Sequence, residues 1–315
     1  MYILGFDIGG TKCAVITALW DGNNISILKK EKQTTGLSLS PCQTIEKLIK
    51  TADLILEKKP DAIGISCGGP LDSKSGVIMG PPNLPGWNNV EIVKQIKEHF
   101  NVTPKLQNDA NACAVAEWKF GAGKGKQNMI FLTFGTGLGA GLILNGKLYS
   151  GSNDNAGEVG HIRLDTFGPV GYGKAGSFEG FCSGGGIAQL GYIKALEKVQ
   201  SGEYPLYFKK GYAQSDVSAK SIAEAAYAGD KTALDVYSTC GAYLGKGLSI
   251  LIDILNPEMI ILGSIFARSN DLLIKTMNEQ IKNEALQISS DCCEIVPAAL
   301  GEQIGDYAAV AVALL

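Results

Sequence analysis

Residues 3–17 read ILGFDIGGTKCAVIT, and residues 130–144 read IFLTFGTGLGAGLIL. Each stretch is a short apolar strand, a tight glycine-rich turn and a second apolar strand. Each second strand then meets a hairpin signal, Asp21-Gly22 in one copy and Asn145-Gly146 in the other. A third strand follows, ISILKK from Ile25 or KLYSG from Lys147. The chain therefore reads as two related halves, each opened by a β-meander whose first turn is glycine. Gly135, Gly137, Gly139 and Gly141 recur at period two, a spacing that clears one face of a strand pair.

Alternating helices and strands follow each meander, so both halves are α/β. Ser40-Pro41 reads as an N-cap and first-turn proline, with Ile45, Leu48, Ile49, Ala52, Ile55 and Leu56 at helical spacing behind it. DAIGISCGG (61–69) reads as a buried strand ending in a glycine turn, NNVEIVKQIKEHF as a helix, VTPKLQ as a strand and 110–120 as a third helix. In the second half, helices are expected near 185–199, 218–228, 232–255, 269–283 and 302–314, with strands at 258–264 and 293–299. The GAGKGKQN loop (121–128) is the expected boundary. It divides the chain into domains 1–121 and 122–315, with the C-terminal helix able to pack back on the first.

A chain of 315 residues suits about two domains of ordinary size. With 45% apolar and 19% charged residues the composition is globular. Glycine, at 40 residues, is in excess without the every-third spacing of collagen. A net charge of −3 offers no footprint for a polyanion, which argues against nucleic-acid binding. No apolar run reaches the length of a membrane span, and Met1 leads directly into a strand without a signal-like region. The eight cysteines show neither CxxC nor zinc-ribbon spacing. The expectation is a cytoplasmic protein in which most of these cysteines are buried single thiols.

Glycine turns after strands point to phosphate, because backbone N–H groups can then approach an anion. Gly10-Thr11-Lys12 does not match the Walker A order. Gly135, Gly137 and Ala140 nominally match the dinucleotide fingerprint, but that motif opens a helix and here a strand follows. What remains is a phosphate loop within a β-hairpin, present twice. Asp109 sits between a strand and a helix, at the edge where α/β folds present ligands. An Asp there can equally be an N-cap. His99 lies on a polar helix near Glu98, whereas His161 lies in GEVGH.

Two glycine-turn halves resemble the superfamily of actin, hexokinase and the 70-kilodalton chaperones. Within it the chain resembles the ROK (repressor, open reading frame, kinase) family of bacterial sugar kinases. The likeness is carried in order by DIGGTK (7–12), GISCGGPLD (64–72), NLPGW (83–87), QNDANACAVAEW (107–118), FGTGLGAGLI (134–143), GEVGHI (157–162) and GSFEGFCSG (176–184). It implies a two-domain α/β, ribonuclease H-like fold with ATP and sugar in the cleft between the halves. It also implies an ATP- and magnesium-dependent hexose kinase, a phosphotransferase of carbohydrate metabolism.

Residue by residue, the resemblance makes Asp109 the catalytic base and Asn108 a holder of a sugar hydroxyl. Gly69, Asn83, Glu158, His161 and Glu179 join them on the sugar. Gly9, Gly10, Thr11 and Lys12 form the first phosphate loop and Gly135, Thr136 and Gly137 the second. Gly263 lies on the adenosine side, and Asp7 positions magnesium through water. A homodimer is expected on the same ground. Many relatives hold a structural zinc with a His and three cysteines in CxCGxxGCxE. Here Val170, Tyr172 and Ser177 stand where the cysteines would be, and one imidazole alone is not a zinc site. No zinc is expected.

Glucose leads as substrate, with N-acetylmannosamine and N-acetylglucosamine as alternatives. A sugar-sensing regulator is the other class. Such relatives carry a helix-turn-helix ahead of DIGGTK, and only six residues precede Asp7.

Overall fold

The computed structural model of the protein describes residues 1–36 and 39–315. They form two compact units, one of Met1–Gln127, Gly141–Ala156 and Ala299–Leu315, the other of Asn128–Ala140 and Gly157–Ala298. The chain thus passes between units at four points rather than at one loop.

In the first unit, β1 (Tyr2–Ile8), β2 (Lys12–Trp20) and β3 (Ile25–Thr34) form the antiparallel meander. Helix α1 (Pro41–Ile55) starts at a capping box in which Ser40 and Gln43 exchange hydrogen bonds, with Pro41 in the first turn. There follow β4 (Ala62–Cys67), the short pair β5 (Leu71–Asp72) and β6 (Val77–Ile78), α2 (Ile92–Phe100), β7 (Lys105–Asn108) and α3 (Asp109–Phe120). The sheet orders its strands β3-β2-β1-β4-β7, with β1, β4 and β7 parallel.

Alternation along β1 sends Leu4, Phe6 and Ile8 into a core with Ile45 and Leu48 of α1 and Ile96 and Phe100 of α2. Ile3 faces the other side, where Ala14 and Ile16 of β2 meet Ala309 and Val310 of the C-terminal helix, α10 (Ile304–Val312). That helix lies unusually close to the sheet. A Cβ on Gly64 would sit 2.2 Å from the Ala309 carbonyl oxygen, so a side chain there would force the helix away.

The hairpin β9 (Ala140–Leu144) and β10 (Lys147–Tyr149) turns through Asn145 and Gly146, both at positive φ as a two-residue turn requires. In the second unit β8 (Met129–Leu132), β13 (Met259–Leu262) and β14 (Glu294–Pro297) are parallel. The second sheet is ordered β10-β9-β8-β13-β14. This is the order of the first: third, second and first strands of the meander, then two later parallel strands. The repeat read in the sequence is a repeat of topology.

The helices of this unit are α4 (Phe178–Phe181), α5 (Gly184–Gln200), α6 (Ala219–Tyr227), α7 (Lys231–Leu255), α8 (Ile265–Glu284) and α9 (Gln287–Ser290). A two-stranded hairpin, β11 (Val170–Gly171) and β12 (Lys174–Ala175), precedes α4.

Three local expectations are corrected. Gly135, Gly137 and Gly139 do not alternate along a strand: residues 133–139 form a loop and β9 begins at Ala140. Phe134, at φ 31, turns the chain out of extended geometry, and Thr133 ties the loop mouth to the Gly139 backbone. Helix α8 starts four residues earlier than its apolar pattern suggested and is kinked at Ser269. The last helix opens with a 3-10 turn, Gly301–Gln303, before α10. Among the described residues no helix is long and apolar enough to cross a membrane.

Candidate functional site

The register of the first sheet gathers its motifs. Ile8 pairs with Cys67 and Cys67 with Asn108, so the residues that follow emerge side by side at the carboxyl edge: Gly9-Gly10, Gly68-Gly69 and Asp109. Asn83 closes over two of them. A Cβ on Gly10 would lie 2.4 Å from its carbonyl oxygen, and one on Gly68 would lie 3.0 Å from its side-chain oxygen. The turn is fixed by Gly9 N–H to the Lys12 carbonyl (3.1 Å) and by the Thr35 hydroxyl on the Gly9 carbonyl (2.5 Å).

Asn108 and Asp109 divide the work at the start of α3. Asn108 is the N-cap: its Oδ1 accepts the Asn111 N–H at 2.8 Å, and its Nδ2 donates to the Asp154 carbonyl at 3.3 Å. Capping is therefore not Asp109's task. Asp109 stands in the first turn, its Oδ1 accepting the adjacent Ala110 N–H at 2.9 Å. The side chain keeps a solvent-facing surface, yet the protein around it limits hydration of the carboxyl. That desolvation raises its pKa, partly offset by backbone hydrogen bonds.

Asp7, at the end of β1, is pushed up to about 7 by burial first, then by the carboxylates of Asp306 and Asp109; Lys30 and Lys32 pull the other way. The start of α10 makes this environment. A Cβ on Gly305 would lie 3.2 Å from Asp7 Oδ2, and Asp306 is ion-paired with Lys30 of β3. Among the described residues no cluster of three or more His, Cys, Asp or Glu side chains is arranged to hold a metal ion. Magnesium, which keeps most of its waters and takes one or two carboxylates beside substrate phosphates, asks no more of the protein than Asp7 can give.

The second unit repeats the edge arrangement. Leu132 pairs with Leu262 and Leu262 with Pro297, which brings the loop after β8 beside Gly263. Gly263 N–H donates to the Leu132 carbonyl and Ile265 N–H to that of Phe134. Ser264 between them is at φ 46, a region disfavoured for a side chain. Helix α5, capped by Ser183, starts with three glycines; the Gly184 N–H donates to the Gly135 carbonyl at 2.8 Å. Gly135 and Thr136 therefore lie against the first turn of a long helix, the end at which backbone N–H groups collect.

Glu179 joins two of the expected groups. Its Oε2 accepts the Leu138 N–H at 3.0 Å and lies 2.8 Å from where a Cβ on Gly137 would be. A Cβ on Gly160 would be 3.1 Å from the Glu179 Cβ, so the GEVGH turn packs on the same side chain. Glu158 precedes the 3-10 turn Val159–His161 and His161 ends it.

The loop 163–180 is knit by hydrogen bonds. Ser177 caps α4 through the Gly180 N–H, Arg163 donates to the Ala175 carbonyl, and Lys246 donates to that of Leu164. Phe181 stacks on Tyr243 with ring centroids 3.5 Å apart.

Sequence reasoning missed Asp306, Lys30, Asp154 and the glycines of α5. Only the Asp154 loop carried a local signal: Asp154 lies within a polar Asn-Asp-Asn run, and its carboxylate takes both the Ser73 N–H and hydroxyl.

A family model described as the ROK family matches residues 3–314. A glucokinase of Halalkalibacterium halodurans is 32% identical over 310 residues, covering 96% of this chain and 92% of that protein. A xylose repressor of Bacillus spizizenii is 28% identical over 308 residues, covering 96% of this chain and 74% of the repressor. The crystal structure of a ROK family glucokinase from Streptomyces griseus in complex with glucose and AMPPNP is similar with a TM-score of 0.78. It is 27% identical, with 100% of this chain and 99% of that one covered.

Proposed function

Because this chain belongs to the ROK family, we propose that it is an ATP-dependent sugar kinase that transfers the γ-phosphoryl group to the 6-hydroxyl of a hexose, with glucose first and N-acetylmannosamine or N-acetylglucosamine next. The observation that carries the reading is Asp109. It stands at the same sheet edge as both glycine turns, next to that of β4, and Asn108 takes over the capping that would otherwise occupy it. Its carboxylate accepts the hydroxyl proton as the sugar oxygen bonds to the γ-phosphorus and the bond to ADP breaks.

Sugar hydroxyls are held by Gly69, Asn83, Asn108, Glu158, His161 and Glu179. Backbone groups of Gly9, Gly10, Thr11 and Lys12 and of Gly135, Thr136 and Gly137 face the phosphates, and Gly263 the adenosine. Magnesium, positioned from Asp7 through water, supplies charge neutralisation of the phosphate oxygens. The loop 163–180 carries no zinc in this reading; one stoichiometric zinc per chain in elemental analysis overturns that part. The named glucokinases are the support for glucose among the sugars.

The second reading, a sugar-responsive regulator, is favoured by the likeness to the xylose repressor. Release of ADP from Mg-ATP across glucose, mannose, fructose, allose, N-acetylglucosamine and N-acetylmannosamine separates the two, with Asp109→Asn as the blank. Turnover on a sugar that the variant loses supports the kinase. Absence of turnover on all six, with a sugar still raising the melting temperature, supports the regulator.

A further inference from the structure

The turn of the β11–β12 hairpin is made by Tyr172 and Gly173, at φ 44 and 75. Two-residue turns of this kind take Asn, Asp or Gly at the first position, because a side chain is strained at positive φ. Tyrosine is a poor turn residue, and at 71% exposure it is not there for burial. Among the described residues its ring has one aromatic partner, the His161 imidazole, edge to face at 5.2 Å and 88°. From the next strand Lys174 Nζ donates to the His161 carbonyl at 2.7 Å. The hairpin thus touches both the ring and the backbone of one residue.

The hairpin itself is firmly seated. Gln189 of α5 accepts the Val170 N–H at 3.0 Å and donates to its carbonyl at 2.8 Å. A Cβ on Gly171 would lie 2.6 Å from the Gly180 nitrogen, so the strand runs directly against α4.

We propose that the hairpin tip is a clamp that positions His161 for the sugar, Tyr172 fixing the plane of the imidazole and Lys174 its backbone. Tyr172 and Lys174 are positioning residues, acting through His161. The role in sugar binding rests on the kinase reading above; the clamp itself does not.

Tyr172→Asn is the informative variant, since asparagine suits the turn and cannot hold the ring. The melting temperature should stay equal or rise, while the KM for the sugar rises about ten-fold and that for ATP stays within about two-fold. Tyr172→Phe, which keeps the ring, should restore the sugar KM, and Lys174→Ala should raise it. An unchanged sugar KM in Tyr172→Asn, or an equal rise for sugar and ATP, overturns the positioning role.

Nuclear magnetic resonance separates this from the kinase reading. The chain has two histidines, and His99→Gln identifies the ring protons of His161. Those resonances should carry a ring-current shift that is lost in Tyr172→Asn and kept in Tyr172→Phe. If they do not move in Tyr172→Asn, the clamp is wrong whether or not the protein phosphorylates sugar. If the wild type turns over no sugar, the kinase reading fails and these resonances still decide the clamp.

Discussion

The Glu179 carboxylate accepts the Leu138 N–H at 3.0 Å, tying an expected sugar-binding side chain to the second glycine loop. Glu179→Ala should therefore raise the KM for ATP as well as for the sugar. Glu179→Gln keeps an acceptor oxygen and should act chiefly on the sugar. Steady-state kinetics in both substrates checks this; an ATP KM unaffected by Glu179→Ala would sink the coupling.

Asp109→Asn leaves the amide in the first turn of α3, where Asn108 still caps the helix. Turnover should fall by about a hundred- to ten-thousand-fold, with sugar binding by calorimetry retained. Near wild-type turnover would remove Asp109 as the base.

Asp7 gives a pH dependence with a definite sign. Its carboxyl ionises near 7 in the folded protein against 3.8 as the ordinary value, so the folded state holds the proton more tightly. The stability this group contributes is fully present below about 4 and is lost as pH rises through 7. Melting temperatures in chelator between pH 4 and 8 should show this fall, and Asp7→Asn should flatten it. Magnesium favours the ionised form, so its stabilising shift should be larger at pH 8 than at pH 6; equal shifts would contradict the assignment.

Two glycines separate steric necessity from loop support. Gly10→Ala drives a Cβ to 2.4 Å from the Asn83 backbone oxygen, and backbone cannot swing aside. Thermal unfolding should show a loss of about 1–3 kcal/mol. Gly137→Ala meets only the end of the Glu179 side chain, at 2.8 Å. It should cost less stability while mimicking Glu179→Ala in its kinetics; a larger loss than for Gly10→Ala would refute this ranking.

The sequence alone determined the two glycine-turn meanders, the capped helix at Ser40, and the strand-to-helix junction that presents Asp109. These features depend on neighbours a few residues apart, through alternation, helical spacing and turn chemistry. Local spacing failed where backbone turned on itself: the period-two glycines after β8 are a loop, because Phe134 leaves the strand at positive φ. Only the tertiary structure decided which charges share a site. Lys30 and Asp306 are 276 residues apart and meet because α10 packs across the glycines of the first sheet. Glu179 reaches Leu138 across 41 residues because α4 lies against the loop after β8. Sheet register and the close approach of helices bring such groups together, and neither is written in any short stretch of chain.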